Sequence, residues 1–315
     1  MLRIADGAFW IVLVFATSFG ASSLATGFPA LLGLFVAPGA IAAQASVSES
    51  AIRVSLPVPQ PPDSPNIRMT IATDDVVERP LHLQGKPFIA IVIDDLGGDV
   101  AHTRRAIALP SAVTLSFLPY PEGTPGLVRN AAHAGHEILA HVPMEALGAH
   151  NPGPRALMTG LPAEENLRRF EWALARVPGY VGINNHEGSR FTADEEALVP
   201  VMQRLGERHV FFFDSKTTAD TQVALVASRY GVASAARDIF LDDINDIDAV
   251  DAQLHMLEKR AREQGIAIAI GHPREITLDA VAYWTAHQSE FRLVRLSEAI
   301  RLKSEARTSL AFLGR

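Results

Sequence analysis

The 315-residue chain contains no cysteine. That excludes a thiol nucleophile, a disulfide framework and any cysteine-ligated zinc, so a metal site would have to be built from histidine, aspartate and glutamate. Eleven histidines are available for it. The chain also lacks an excess of positive charge: 28 basic residues face 35 acidic ones, a formal charge of −7. Nothing in that balance suggests a nucleic-acid surface. Charged residues make up only 20% of the chain against 48% hydrophobic ones, enough apolar material for one large core or two modest ones. No internal repeat is visible, and no G-x-G-x-x-G follows the first apolar run, which removes the usual dinucleotide signature.

Residues 7–43 carry no Asp, Glu, Lys, Arg or His. The run exceeds the roughly 20 residues needed to cross a bilayer. Residues 1–45 are therefore expected to be a signal peptide or a membrane anchor, with the remainder working outside the cytoplasm and touching the membrane only through this segment. Leu56-Pro-Val-Pro-Gln-Pro-Pro-Asp-Ser-Pro65 reads as a stiff, extended spacer, which makes 46–85 a linker. A folded domain is expected over 86–305 and a short tail over 306–315.

Within that domain short apolar runs alternate with helical periodicity. Phe88 to Ile93, Val113 to Leu118, His136 to His141, Tyr180 to Ile183, Val210 to Phe213, Ile266 to Ile270 and Phe291 to Val294 read as buried strands, with a weak eighth near Val232. Val250, Leu254, Leu257 and Ala261 repeat at helical spacing, as do Leu167, Phe170, Leu174 and Val177. Leu198, Met202 and Leu205 do so too, although Pro200 should kink or shorten that helix. The pattern predicts an α/β domain with seven to eight parallel strands closed, or nearly closed, into a (β/α) barrel.

The residues capable of acid-base or metal chemistry fall just after the expected strands. Ile89-Ala-Ile-Val-Ile ends in Asp94 and Asp95; His141 and Glu145 follow the third strand, Asn184-Asn185-His186 the fourth, Asp214-Ser215 the fifth and His272-Pro273 the seventh. In a parallel barrel all of these lie on the C-terminal rim, where such folds carry their active sites. If the chain is helical after the third strand, His141 and Glu145 share a face and can hold a divalent cation together with Asp95. Asp94 would then act as the base on a bound water. Adjacent residues of a strand point to opposite faces, so Asp94 and Asp95 can share one cleft only where the strand is already turning. The other histidines read as surface or packing residues. The acidic group Asp238, Asp242, Asp243, Asp246, Asp248 and Asp251 lacks calcium-loop spacing and reads as helix capping and a solvated face. An aspartyl-nucleophile phosphatase would need a second Asp at position 96, which is Leu96.

Ile-Val-Ile-Asp94-Asp95-Leu-Gly, Gly-His-Glu-Ile-Leu-Ala-His141-Val-Pro-Met-Glu145, Asn184-Asn185-His186-Glu-Gly-Ser-Arg190, Phe213-Asp214-Ser215 and Gly271-His272-Pro273 together resemble the motif series of the divergent polysaccharide deacetylases. These are exported bacterial proteins related to the metal-dependent chitin and peptidoglycan deacetylases, and the resemblance runs from about Pro87 to Leu302. It implies a deformed (β/α) barrel, Asp94 as catalytic base, Asp95 and His141 as metal ligands and His272 as the acid that protonates the leaving amine. Zinc is the divalent metal expected. Orthodox members carry a second histidine where this chain has Glu145, so the remaining ligand is either Glu145 or His186. Asn184, Asn185, Arg190 and Asp214 are expected to contact an acetylated sugar. The expectation is an exported hydrolase that removes N- or O-acetyl groups from an envelope polysaccharide. The alternative is a non-catalytic envelope protein that binds a glycan or a protein partner in the same cleft.

Overall fold

A computed structural model describes residues 85–313, with side chains described as far as Ala306. The signal or anchor at 1–45 and all but the last residue of the 46–85 linker lie outside the described residues. Among those described, no helix is long and apolar enough to cross a membrane.

The chain runs β1 (Phe88–Leu96), α1 (Val100–Ile107), β2 (Thr114–Phe117), α2 (Thr124–His133), β3 (Ile138–Met144), α3 (Ala163–Arg176), β4 (Gly182–Glu187), a 3-10 turn at Phe191–Ala193, α4 (Glu195–Arg208) and β5 (Phe211–Asp214). It continues with α5 (Val223–Arg229), β6 (Ser234–Ala236), β7 (Ile239–Phe240), α6 (Ile247–Gln264), β8 (Ile266–Gly271), α7 (Glu275–His287), β9 (Arg292–Leu293) and α8 (Leu296–Leu313). Every strand pairing is parallel, in the order β6-β5-β4-β3-β2-β1-β8-β7, with β9 added beside β1. No pairing joins β6 to β7 among the described residues, so the expected barrel is open on one side. Strands alternating with crossover helices are what long parallel connections require.

The period of two along each strand sorts the side chains into two layers. Ile89, Ile91 and Ile93 of β1, Ala140 and Val142 of β3, and Phe212 of β5 face the helices, in one apolar cluster. Phe88, Ala90, Val92, Leu139, Phe211, Phe213, Ile266, Ile268 and Ile270 face inward, where Leu296, Ala299 and Ile300 of α8 pack against them. The N-terminal end of the barrel interior is thus plugged by α8. The start of that helix is fastened by the buried Glu137 carboxylate, which accepts from the Ser297 backbone N–H at 3.0 Å and from the Ser297 hydroxyl.

Two local expectations differ from the structure. Helix α4 continues past Pro200, with Asp194 capping its start through the Ala197 N–H at 3.0 Å. The polar residues expected just beyond the strands lie largely within them: His141 is the fourth residue of β3, and Asn184, Asn185 and His186 are inside β4. The apolar runs stop early because the inward face turns polar while the backbone ladder carries on.

Candidate active site and metal centre

Continuing the inward parity of Phe88, Ala90 and Val92 brings β1 to Asp94, and that of Ile266, Ile268 and Ile270 brings β8 to His272. Ile93 pairs with Gly271, so Asp94 and His272 emerge side by side. His141 pairs with Asn184, and Pro143 with His186, placing both histidines on the same face of adjacent strands. Asp95 should point outward by this rule. It does not, because the register between β1 and β2 slips between Ile93 and Leu96, and Asp95 takes a left-handed backbone with φ of 54°. That conformation is costly for a residue other than glycine and turns the second carboxylate into the cleft beside the first.

His141 Nε2 lies 3.1 Å from Asp95 Oδ1, His186 Nδ1 lies 2.7 Å from the same oxygen, and the two ring nitrogens are 3.2 Å apart. Among the described residues this is the one group of three or more such side chains with metal-binding spacing. Three lone-pair-bearing atoms converging on one point repel one another unless a metal ion or ring protons sit among them. Asp95 Oδ1 is buried and makes no hydrogen bond of acceptable geometry despite these close approaches, as expected of a ligand atom aimed at something other than its neighbours. Edges of this length match the roughly 3.3 Å spacing of atoms held about 2.0–2.1 Å from one tetrahedral ion. The donor set of one carboxylate and two imidazoles therefore fits a divalent metal.

Burial works to raise the Asp95 carboxyl, but the close contacts and charges of His141 and His186 outweigh it and hold the group well below the usual carboxylate range. Asp94 is different. Burial pushes it above its usual value, against the opposing pull of His141 and His272. Its Oδ2 accepts from Asn184 Nδ2 at 3.3 Å, while Oδ1 is buried without a hydrogen bond, 3.7 Å from His272 Nε2. The Asn184 amide is in turn held by the Ser116 and Ser215 hydroxyls. His272 Nδ1 contacts Asp242 Oδ1 at 2.9 Å, and Asp242 Oδ2 accepts from the His272 N–H at 2.8 Å and the Thr277 hydroxyl at 2.7 Å. Burial alone would lower His272, but the bond to Asp242 and the charge of Asp94 raise it to about 9. With no cation in the site, the imidazole is therefore held protonated at neutral pH, with Nε2 directed into the cleft.

These groups share a cleft of about 270 Å³ with Asn185, Thr217, Arg237 and Phe240. Arg237 donates from Nε to the Ser215 carbonyl at 2.5 Å and lies 4.5 Å over the Phe240 ring, which meets His272 edge-on.

Several expected site residues are placed elsewhere. Glu145 does not join the cluster, since β3 is extended to Met144 and four strand residues cover about 13 Å rather than one helical turn. Its carboxylate instead accepts from the Thr159 N–H and hydroxyl at 2.7 and 2.8 Å and pairs with Arg190 at 3.3 Å. Arg190 is thereby a partner of Glu145 and not a lining residue of the cleft. Asp214 accepts from the Lys216 N–H at 2.7 Å and the Thr221 hydroxyl at 2.8 Å, one bond to each oxygen, which fastens the loop after β5. Asn184 supports Asp94 from below. Asn185 lines the cleft but spends its amide on the Ser215 N–H and the Glu187 carbonyl.

Sequence reasoning missed Asp242, fully buried behind His272, because it assigned that whole acidic stretch to capping and solvent. A usable signal was the step from Leu241 into Asp242, the same apolar-to-acid change that ends β1. It also missed Arg237, in the link between β6 and β7, and Phe240, whose strand spans only two residues.

The sequence matches the divergent polysaccharide deacetylase family over residues 91–300. It is 35% identical over 190 residues to a protein of Haemophilus influenzae, covering 60% of this chain and 68% of that one. It is 35% identical over 196 residues to the YibQ protein of Escherichia coli, covering 62% and 61% respectively. A crystal structure of an Agrobacterium tumefaciens protein superposes with a TM-score of 0.66 at 30% identity, covering 70% of this chain and 92% of the other. With two thirds of its length matched and the acidic strand end, paired histidines and distal His272 gathered at one rim, the chain belongs to the divergent polysaccharide deacetylase family.

Proposed function

We propose that this protein is a metal-dependent hydrolase, working outside the cytoplasm, that removes acetyl groups from the amino sugars or hydroxyls of an envelope polysaccharide. The observation that carries the reading is the convergence of Asp95, His141 and His186 on one point beside the Asp94 and His272 pair. Asp95 Oδ1, His141 Nε2 and His186 Nδ1 would hold the ion, zinc by the nature of the donors, leaving a position for solvent. Bound there, it supplies Lewis-acid polarisation of the acyl carbonyl and a lowered pKa for its water.

The protein's own groups supply the proton transfers. Asp94, with a free Oδ1 and a raised proton affinity, takes the proton from the attacking water. His272, protonated and oriented by Asp242, donates from Nε2 to the departing nitrogen or oxygen. Asn184 fixes Asp94 through its amide, and Phe240 and Arg237 wall the cleft so that the acetyl-bearing sugar enters from one side. The uncharged stretch 7–43 supports export or anchoring.

Metal analysis of the purified full chain, paired with acetate release from acetylated glycans, tests the proposal. About one divalent ion per chain is expected. Asp95→Ala and His141→Ala should lose it, and Asp94→Asn and His272→Ala should keep it while lowering turnover by about 10²–10⁴-fold. A chain that holds no divalent ion, or variants that hydrolyse as well as the parent, would overturn it.

A further inference from the structure

A second cleft, larger than the one at the proposed reaction centre, is found elsewhere on the described surface. It lies on the outside of the barrel, between α6 and α7, with a volume of about 610 Å³, within the roughly 300–1,000 Å³ range of ligand pockets. Its floor is Leu254, Ala280 and the largely buried Trp284, whose ring N–H donates to Glu258 at 2.9 Å. Its rim carries Tyr283, 68% exposed and backed on one face by the His287 ring, with centroids 4.1 Å apart and planes 26° from parallel. The other face of the phenol is open to solvent. His287 is itself tethered to the Tyr283 carbonyl at 2.7 Å, so the stacked pair is pre-set on the helix.

The charge of this cleft has one sign. Asp248, Asp251, Glu258 and Asp279 line it, and no lysine or arginine does. Glu258 and Asp279 are held from outside by Arg262 and Arg105. Among the described residues, Asp248 and Asp251 pair with neither lysine nor arginine; His255 Nδ1 lies 2.9 Å from the Asp251 carbonyl and 3.6 Å from its carboxylate. A flat, exposed aromatic face takes the C–H face of a pyranose ring. Carboxylates at the edge that no lysine or arginine holds accept hydrogen bonds from hydroxyls and, at twice the usual strength, from ammonium groups.

We propose that the groove between α6 and α7 is a second glycan site that takes a stretch of de-N-acetylated, amine-bearing polysaccharide. The assignment rests on the deacetylase reading above, because the chemistry proposed there converts neutral acetamido sugars into cationic amino sugars. A cationic glycan fits better than a basic peptide helix. A helix needs a continuous apolar trough, whereas the rim here is polar, with Ile247 and Tyr283 its exposed apolar members. Holding product on the outer wall would keep the enzyme on a chain it has already begun to modify.

The test titrates the metal-loaded full chain with a glucosamine pentamer and with an N-acetylglucosamine pentamer, reading binding by calorimetry. The glucosamine pentamer should bind at least tenfold more tightly, and the difference should shrink as salt is raised from 50 to 500 mM, with screening of exposed charges. Tyr283→Ala and the double variant Asp248→Asn/Asp251→Asn should each weaken it about tenfold or more. Both variants lie outside the reaction cleft and should release acetate from a monomeric substrate at the parent rate. Undiminished pentamer binding in these variants, or equal affinity for the two pentamers, overturns the proposal. So does a Leu/Lys amphipathic peptide that binds through Tyr283 where the glucosamine pentamer does not bind. Loss of the groove's selectivity with acetate release intact removes this site alone, whereas Tyr283-dependent binding without any acetate release removes the deacetylase reading and leaves a glycan site.

Discussion

His272 owes its role to a neighbour distant in sequence: Asp242, thirty residues earlier, which holds both its backbone and its ring. Replacing that carboxylate with an amide removes the negative charge while keeping the shape. In metal-free Asp242→Asn, the His272 titration midpoint is therefore expected to fall from about 9 toward the unperturbed value of about 6.5, read by NMR of the ring. The sign also fixes a stability effect. A histidine whose folded pKa is raised stabilises the fold most below about pH 6.5, and that contribution fades as pH rises through 9; the variant should lose this dependence. An unchanged midpoint would show that Asp94, not Asp242, sustains the protonated ring. At this scale Asp94, Asp95, His141, His186 and His272 were legible, as acids or imidazoles at or just beyond the end of an apolar run. How Asp94 and Asp95 come to share a cleft was not, because the left-handed turn at Asp95 has no glycine or asparagine to announce it. Glu145 misled for a related reason: spacing of four is a helical neighbour or a distant strand position, and only the extent of β3 decides which.

Strand pairs carry a second kind of constraint. Gly182 opens β4 beside Phe211 of β5, and a methyl group placed on it would meet the phenyl ring at 2.1 Å. The ring is buried on the inward face with Leu139 and Phe213, so it has nowhere to swing. Gly182→Ala should therefore destabilise the domain by about 1–3 kcal/mol through overpacking. Denaturant unfolding should report it as a lowered midpoint with an unchanged slope. A midpoint equal to that of the parent would mean that the two strands can separate locally at no cost. Most of the elements could be read from sequence, because buried parallel strands are apolar on both faces and α6 keeps Val250, Leu254, Leu257 and Ala261 on one side. What escaped was short or mixed. β7 has two residues, too few for any periodicity, and β3 and β4 continue through polar positions that the apolar pattern treats as loop.

Across the whole domain, one interior is divided by height: α8 and apolar strand residues fill one end, and carboxylates, amides and imidazoles occupy the other. Burying Asp94, Asp95 and His141 costs the fold desolvation free energy that an unfolded chain does not bear. A divalent ion that binds the assembled ligands and not the unfolded chain returns it, stabilising by about 2.7 kcal/mol at a concentration 100 times its dissociation constant. For a domain of this size that corresponds to a rise in Tm of about 5–10 °C. The rise should vanish in EDTA and in His186→Ala, and persist in Glu145→Ala, whose loop contacts with Thr159 and Arg190 affect the starting Tm but not the increment. Because each variant is compared with itself with and without metal, a loop defect cannot imitate a lost ligand. An increment that survives His186→Ala and disappears in Glu145→Ala would return the third ligand to the position that β3 has carried out of reach.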